Sequence, residues 1–289
     1  MNDTLKKEAE ALRIPYEKMG RVLVWHDEFA GDGIDPEKWC FYRTMSAADR
    51  EYDNSERCIR VEDGQLHMQV HRSQQPGANF ALSEGFTTKD TMNFKYGYLE
   101  LRARVPFRHG AWPSFWLKSD TPFAKSSYMA EIDIYEVFSS QKDVVANLHK
   151  WGSGKHVMLP GGEGSLNRAY TFKNWENLNN EYHVYGFEWT PKETKYYVDG
   201  ECYAVFPIDE SGEFGDEPVL AGMSGFHDFA YPIFNNEIFS EGSSWKPEGC
   251  LLTDADPMPI DYYLDYLRLY QNPATEELKL GEEIRAAKE

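Results

Sequence analysis

Long apolar runs are missing from this chain of 289 residues. No stretch reaches the roughly 18 apolar residues that a membrane-spanning helix needs. The N-terminal MNDTLKKEAEALRIPYEKMG has no apolar segment of signal-peptide type. As written, the chain reads as cytoplasmic, or as secreted if a leader was trimmed. Basic residues are few, 30 Lys and Arg against 48 Asp and Glu, for a net charge of −18. Nucleic acid and anionic membrane are therefore not expected as partners, because phosphate binding needs clustered cations. Cysteine is sparse: Cys40, Cys58, Cys202 and Cys250 contain no CxxC pair. That argues against a zinc site and against a disulfide framework. Free thiols are the expectation, with a Cys40–Cys58 bridge as the alternative. No internal repeat or low-complexity linker occurs, and helical periodicity is nearly absent between residues 21 and 271.

What the chain has is aromatic residues, 15 % of the total. They suit either a β-rich core or platforms that stack on sugar rings. Short β-prone segments recur between turn signals. Gln65–His71 and Tyr98–Val105 alternate apolar and polar residues, and Arg21–Trp25, His183–Trp189, Lys195–Val198 and Tyr262–Tyr270 follow the same style. Asp199-Gly200 between KYYV and ECYAVF is a hairpin signal, because a type I′ turn needs positive φ at both positions. Many strands without βαβ units predict an all-β sandwich or jelly roll of two antiparallel sheets. The expected organisation is a helical extension over 1–20, one β domain over 21–271 and a polar, helix-prone tail over 272–289, interrupted at Gly281.

Residues 128–138, YMAEIDIYEVF, carry the chemistry. Glu131, Asp133 and Glu136 lie in a strand-like run of Ile, Tyr, Val and Phe. Strand side chains alternate faces, so Glu131 and Asp133 share one face and Ile132 the other. In a regular strand Glu136 would point into the core and Val137 would sit among the acids. One β-bulge near Ile134-Tyr135 reverses that parity and puts all three carboxylates on one face. Three acids so close repel one another and raise at least one pKa. A solvated polar face or a calcium site is the bland reading. A carboxylate pair for glycoside hydrolysis is the sharper one.

The E-I-D-I-Y-E run resembles the E-x-D-x-x-E signature of glycoside hydrolase family 16, in the β-bulge branch that includes laminarinases, agarases, carrageenases and porphyranases. Five further blocks follow in family order: Trp25–Gly31, Val61–Leu66, Tyr96–Glu100, Gly110–Leu117 and Asp265–Tyr270. The resemblance implies a concanavalin-like jelly roll of two curved sheets with the acids in a concave groove. It implies a retaining double displacement with Glu131 as nucleophile, Glu136 as acid/base and Asp133 between them. It places Trp112 and Trp116 at sugar subsites, His149 beside the acid/base on a face shared with Asn147, and Tyr52 and Asn54 in a negative-subsite loop. Trp151, His156 and the 224–245 loop, with Phe226, His227, Tyr231 and Trp245, are further groove candidates. No cofactor is implied for catalysis. A structural calcium on the convex face would take Glu28, Gly64 and Asp265 as ligands. Pro218–Phe226 departs from the Asn-containing strand and Gly-Gly pair of laminarinase-type relatives, which bears on substrate. The expected partner is a carbohydrate and the expected state a monomer. The first expectation is an endo-β-1,3-glucanase. The alternatives are the same chemistry on a galactose-containing glycan (agar-, carrageenan-, porphyran-like or from a host) or a non-catalytic glycan-binding jelly roll.

Overall fold

The computed structural model describes residues 20–126, 128–152, 155–159, 168–173, 177–208, 213–214, 217–218 and 225–289, with backbone only at 155–159, 213–214 and 217–218. The expected N-terminal helix and the side chain of His156 lie outside these residues. Among them, strands form two large sheets of ten and eight members that face each other as a jelly-roll sandwich. Neighbouring strands run antiparallel, except that Arg50–Tyr52 and Phe80–Leu82 pair in parallel.

The alternation read from the sequence becomes the core. Leu99, Leu101 and Ala103 from Gly97–Arg104 and Leu264, Leu267 and Leu269 from Ile260–Gln271 are fully buried. They pack with Phe115, Leu117, Ile132, Val144, Leu148 and Phe234 of the other sheet. Stacked rings reinforce this layer, Phe115 lying on Phe234 with centroids 4.6 Å apart. Most aromatics thus serve the core. The Asp199-Gly200 turn has φ of 50° and 80°, the predicted type I′ geometry. Asp63-Gly64 repeats it, at 53° and 72°, between Ile59–Glu62 and Gln65–Arg72. All four cysteines are unpaired.

The tail is more ordered than its polarity suggests. Glu277–Leu280 is a strand paired with Met92–Lys95, and Gly281 opens the helix Gly281–Lys288 instead of interrupting one. Ile284 is fully buried and anchors that helix. No helix among the described residues is long and apolar enough to cross a membrane.

Candidate active site

Met129–Glu136 lies in the eight-stranded sheet between Ala111–Lys118 and Asp143–Gly152. The bulge falls where parity requires it. Phe115 faces Tyr135 and Trp116 faces Asp133, leaving Ile134 as the extra residue. On the other side Asn147 faces Asp133 and Val145 faces Glu136. Ile132, Ile134, Tyr135 and Val137 join the core. Glu131, Asp133 and Glu136 all line one pocket, with Trp112, Ser114, Trp116, Trp151, Asn235 and Glu237 around them. The opposite sheet braces the bulge. Tyr203 donates to the Ile134 carbonyl at 3.2 Å, and the Tyr135 and Tyr262 hydroxyls meet at 2.5 Å. A bulge leaves ladder groups unpaired, and here a tyrosine from across the core satisfies one of them.

Each acid has its own surroundings. Glu136 accepts from Trp112 Nε1 at 2.9 Å and from Asn147 Nδ2 at 3.0 Å. Glu131 accepts from Trp151 Nε1 at 2.9 Å. His149 Nε2 stands 2.9 Å from Asp133 Oδ2 and 3.9 Å from Glu131 Oε1. His149 thus stands nearest Asp133 and Glu131 while its charge also reaches Glu136, which Asn147 bonds directly. The reason is register, which sets His149 opposite Glu131. Burial pushes all three acids up to about 8, and repulsion from Asp133 adds to it for the two glutamates. Because these acids sit together, their protons come off as a coupled set.

The raised Asp133 value has a stability consequence. The native state keeps this proton at pH values where the unfolded chain has lost it. Stability is therefore fully present below the ordinary aspartate value and falls as pH rises toward about 8. Asp133→Asn removes that loss. Its melting temperature relative to the parent should rise between pH 4 and pH 8 and then level off. A constant offset across that range would contradict the burial argument.

The other expected residues divide. Trp112 and Trp116 line the pocket, but both are also engaged: Trp112 stacks on Phe239 at 4.9 Å and Trp116 Nε1 donates to Asn235 at 2.9 Å. Trp245 is 47 % exposed and meets Trp112 edge-on at 5.3 Å. Phe226 and Tyr231 are fully buried, and His227 bonds to Tyr96 and to the Ile208 carbonyl. Tyr52 and Asn54 do not line this pocket. Asn54 is tied to Glu84 by two hydrogen bonds and borders a separate cavity, while Tyr52 lies under the Arg43 guanidinium at 4.4 Å.

Of the three expected calcium ligands, both carboxylates are engaged by arginines, and Gly64 turns the hairpin after Ile59–Glu62. Arg268 grips Glu28 with two bonds of 2.9 and 2.8 Å, and Arg102 pairs with Asp265 at 2.5 Å. Burial works against the Glu28 charge, but Arg268 and His26 outweigh it and hold the carboxyl below its usual value. Carboxylates already neutralised by two different arginines offer a divalent cation little. Among the described residues, the one trio with metal-ligand spacing is Glu131, Asp133 and His149, within 4.8 Å of one another. It belongs to the acid site itself.

Sequence reasoning missed the strand Tyr231–Ile238, which pairs with Ala111–Lys118 along its whole length. It brings Asn235 and Glu237 into the pocket. Glu237 is buried and held by Arg50 Nε at 3.0 Å. The signal that could have found this strand was the pair Asn235-Asn236 in an apolar run. Most of Pro218–Phe226, the segment expected to bear on substrate, lies outside the described residues.

Comparison with known proteins agrees with this geometry. The model of the family described as glycosyl hydrolases family 16 matches residues 47–226. The chain is 26 % identical over 272 residues to a Niallia circulans "Glucan endo-1,3-beta-glucosidase A1", covering 87 % of this chain and 38 % of that protein. It is 29 % identical over 258 residues to a Rhodothermus marinus "Beta-glucanase", covering 86 % and 85 %. Among solved structures, one reported under endo-acting O-glycanases of the human gut microbiota that initiate mucin breakdown superposes with a TM-score of 0.67 at 25 % identity, covering 93 % and 94 %. The chain spans well under half the length of the first of these relatives.

Proposed function

This chain belongs to glycosyl hydrolases family 16, and from that premise we propose that it is a retaining endo-β-glycanase whose first substrate is β-1,3-glucan. The observation that carries the reading is the bulge at Ile134, which turns Glu131, Asp133 and Glu136 into one tryptophan-walled groove. In the first step a Glu131 carboxylate oxygen bonds to the anomeric carbon as the glycosidic C–O bond breaks. Glu136 gives its proton to the departing sugar oxygen. In the second step Glu136 takes a proton from water, the water oxygen attacks the anomeric carbon, and Glu131 departs as carboxylate. A sugar hydroxyl in place of water gives transglycosylation.

The environment favours this division of labour. His149 stands 3.9 Å from Glu131, where its attraction works against burial and Asp133 in favour of an ionised nucleophile. Once Glu131 is esterified its charge is gone, and Glu136 releases its proton more readily. Trp112 and Asn147 both donate to Glu136, which stabilises the carboxylate that the acid step leaves behind.

The glucan preference rests on the named glucanase relatives. Product analysis on laminarin, mixed-linkage glucan, agarose, carrageenan, porphyran and mucin-type O-glycans tests it. Laminarin should yield short oligosaccharides with the parent and none with Glu131→Gln. Cleavage confined to a galactose-containing glycan would move the substrate to the O-glycanase-like alternative. Binding without cleavage across the panel would leave a glycan-binding jelly roll.

A further inference from the structure

We infer that Arg168 is a positioning residue for the acid/base, acting through the amide of Asn147. The inference rests on the catalytic reading above and adds a residue to it. Arg168 Nη1 donates to Asn147 Oδ1 at 2.9 Å, and Asn147 Nδ2 donates to Glu136 Oε2 at 3.0 Å. An Asn amide can present either its oxygen or its nitrogen, and its neighbours decide which. Arginine has five donors and no acceptor, so it accepts only one answer: the oxygen must face Arg168 and the N–H must face Glu136. The backbone fixes the arginine in place. The Arg168 carbonyl accepts from Ala146 N at 2.8 Å, and the next residue, Ala169, pairs with Val145.

The orientation matters to the proton. With Nδ2 toward Glu136, Asn147 favours the ionised carboxyl, the state the acid step produces. With the amide turned over, Oδ1 would accept the Glu136 proton and hold it away from the glycosidic oxygen. Arg168 removes that second arrangement. Its charge also polarises the amide, strengthening the N–H that Glu136 receives.

Arg168→Ala should lower kcat on laminarin by roughly tenfold, about the worth of one hydrogen bond, with KM little changed. The alkaline limb of the pH–kcat profile should move to higher pH, because ionised Glu136 loses support. Aryl glycosides with good leaving groups, which need little proton donation, should lose much less in their glycosylation step. Arg168→Lys, which still only donates, should restore most of the activity and the limb, whereas Arg168→Gln, which can also accept, should restore less. A merely structural role would lower activity on both substrate types alike and leave the limb in place, and that result would overturn the inference. Glu136→Gln separates the two levels. If it leaves laminarin hydrolysis unchanged, the catalytic reading fails. If it abolishes hydrolysis while Arg168→Ala keeps the parent's pH profile and leaving-group dependence, the relay alone fails. Circular dichroism of each variant identifies one that has not folded, and Arg168→Lys then carries the test.

Discussion

Glu131→Gln is expected to lower hydrolysis of the preferred glycan by at least about 10⁴-fold, the scale of losing a covalent nucleophile. The substitution keeps the size of the side chain and an acceptor for Trp151 Nε1, which lies 2.9 Å from the carboxylate. It also removes one of three mutually repelling acids. The variant should therefore fold as well as the parent, or better, while binding the substrate with similar affinity. Calorimetry of the inactive variant with an oligosaccharide gives that affinity directly. Retention of more than about a hundredth of the parent's rate would remove Glu131 from the nucleophile role, since even loss of a general acid costs about 10²- to 10⁴-fold.

Glu136→Gln has the second-largest effect, and its signature is selective. Hydrolysis of the natural glycan should fall by about 10²- to 10⁴-fold. Aryl glycosides with good leaving groups should still glycosylate Glu131, then stall, because no base activates the water. External azide should rescue turnover and give a β-glycosyl azide. The pH profile supplies the sign. The active form carries an ionised Glu131 and a protonated Glu136. Activity in the parent therefore falls as pH rises through the step of the coupled set that takes the proton from Glu136, whose value burial and Asp133 push up. Activity falls again on the acid side as the carboxylate set takes up its next proton. The alkaline limb should vanish in Glu136→Gln for aryl substrates. Its persistence would assign that limb to another group.

Much of this geometry was written locally in the chain. Ile132 and Val137 bracket the acids with apolar residues of opposite parity, which only an inserted residue reconciles, and the bulge stands at Ile134. Asp199-Gly200 marked its hairpin because few residue pairs tolerate two positive φ values. The less legible parts depend on register and on distant partners. Whether His149 serves Glu131, Asp133 or Glu136 is decided by one step of cross-strand pairing, which no local pattern encodes. Tyr231–Ile238 is buried at every position, so it lacks the alternation that marks half-exposed strands. Glu28 and Asp265 look like cation ligands until Arg268 and Arg102 arrive from other positions in the fold. Glu277–Leu280 reads as a polar tail because its buried anchor, Ile284, is a single residue in a charged segment.

The central claim is a double displacement at Glu131, and the anomeric configuration of the first-formed product tests it most directly. Proton NMR during the first minutes of hydrolysis, before mutarotation, should show the β anomer at the new reducing end, because two inversions restore the starting configuration. Initial appearance of the α anomer would mean a single displacement by water, and Glu131 could not then be the covalent nucleophile.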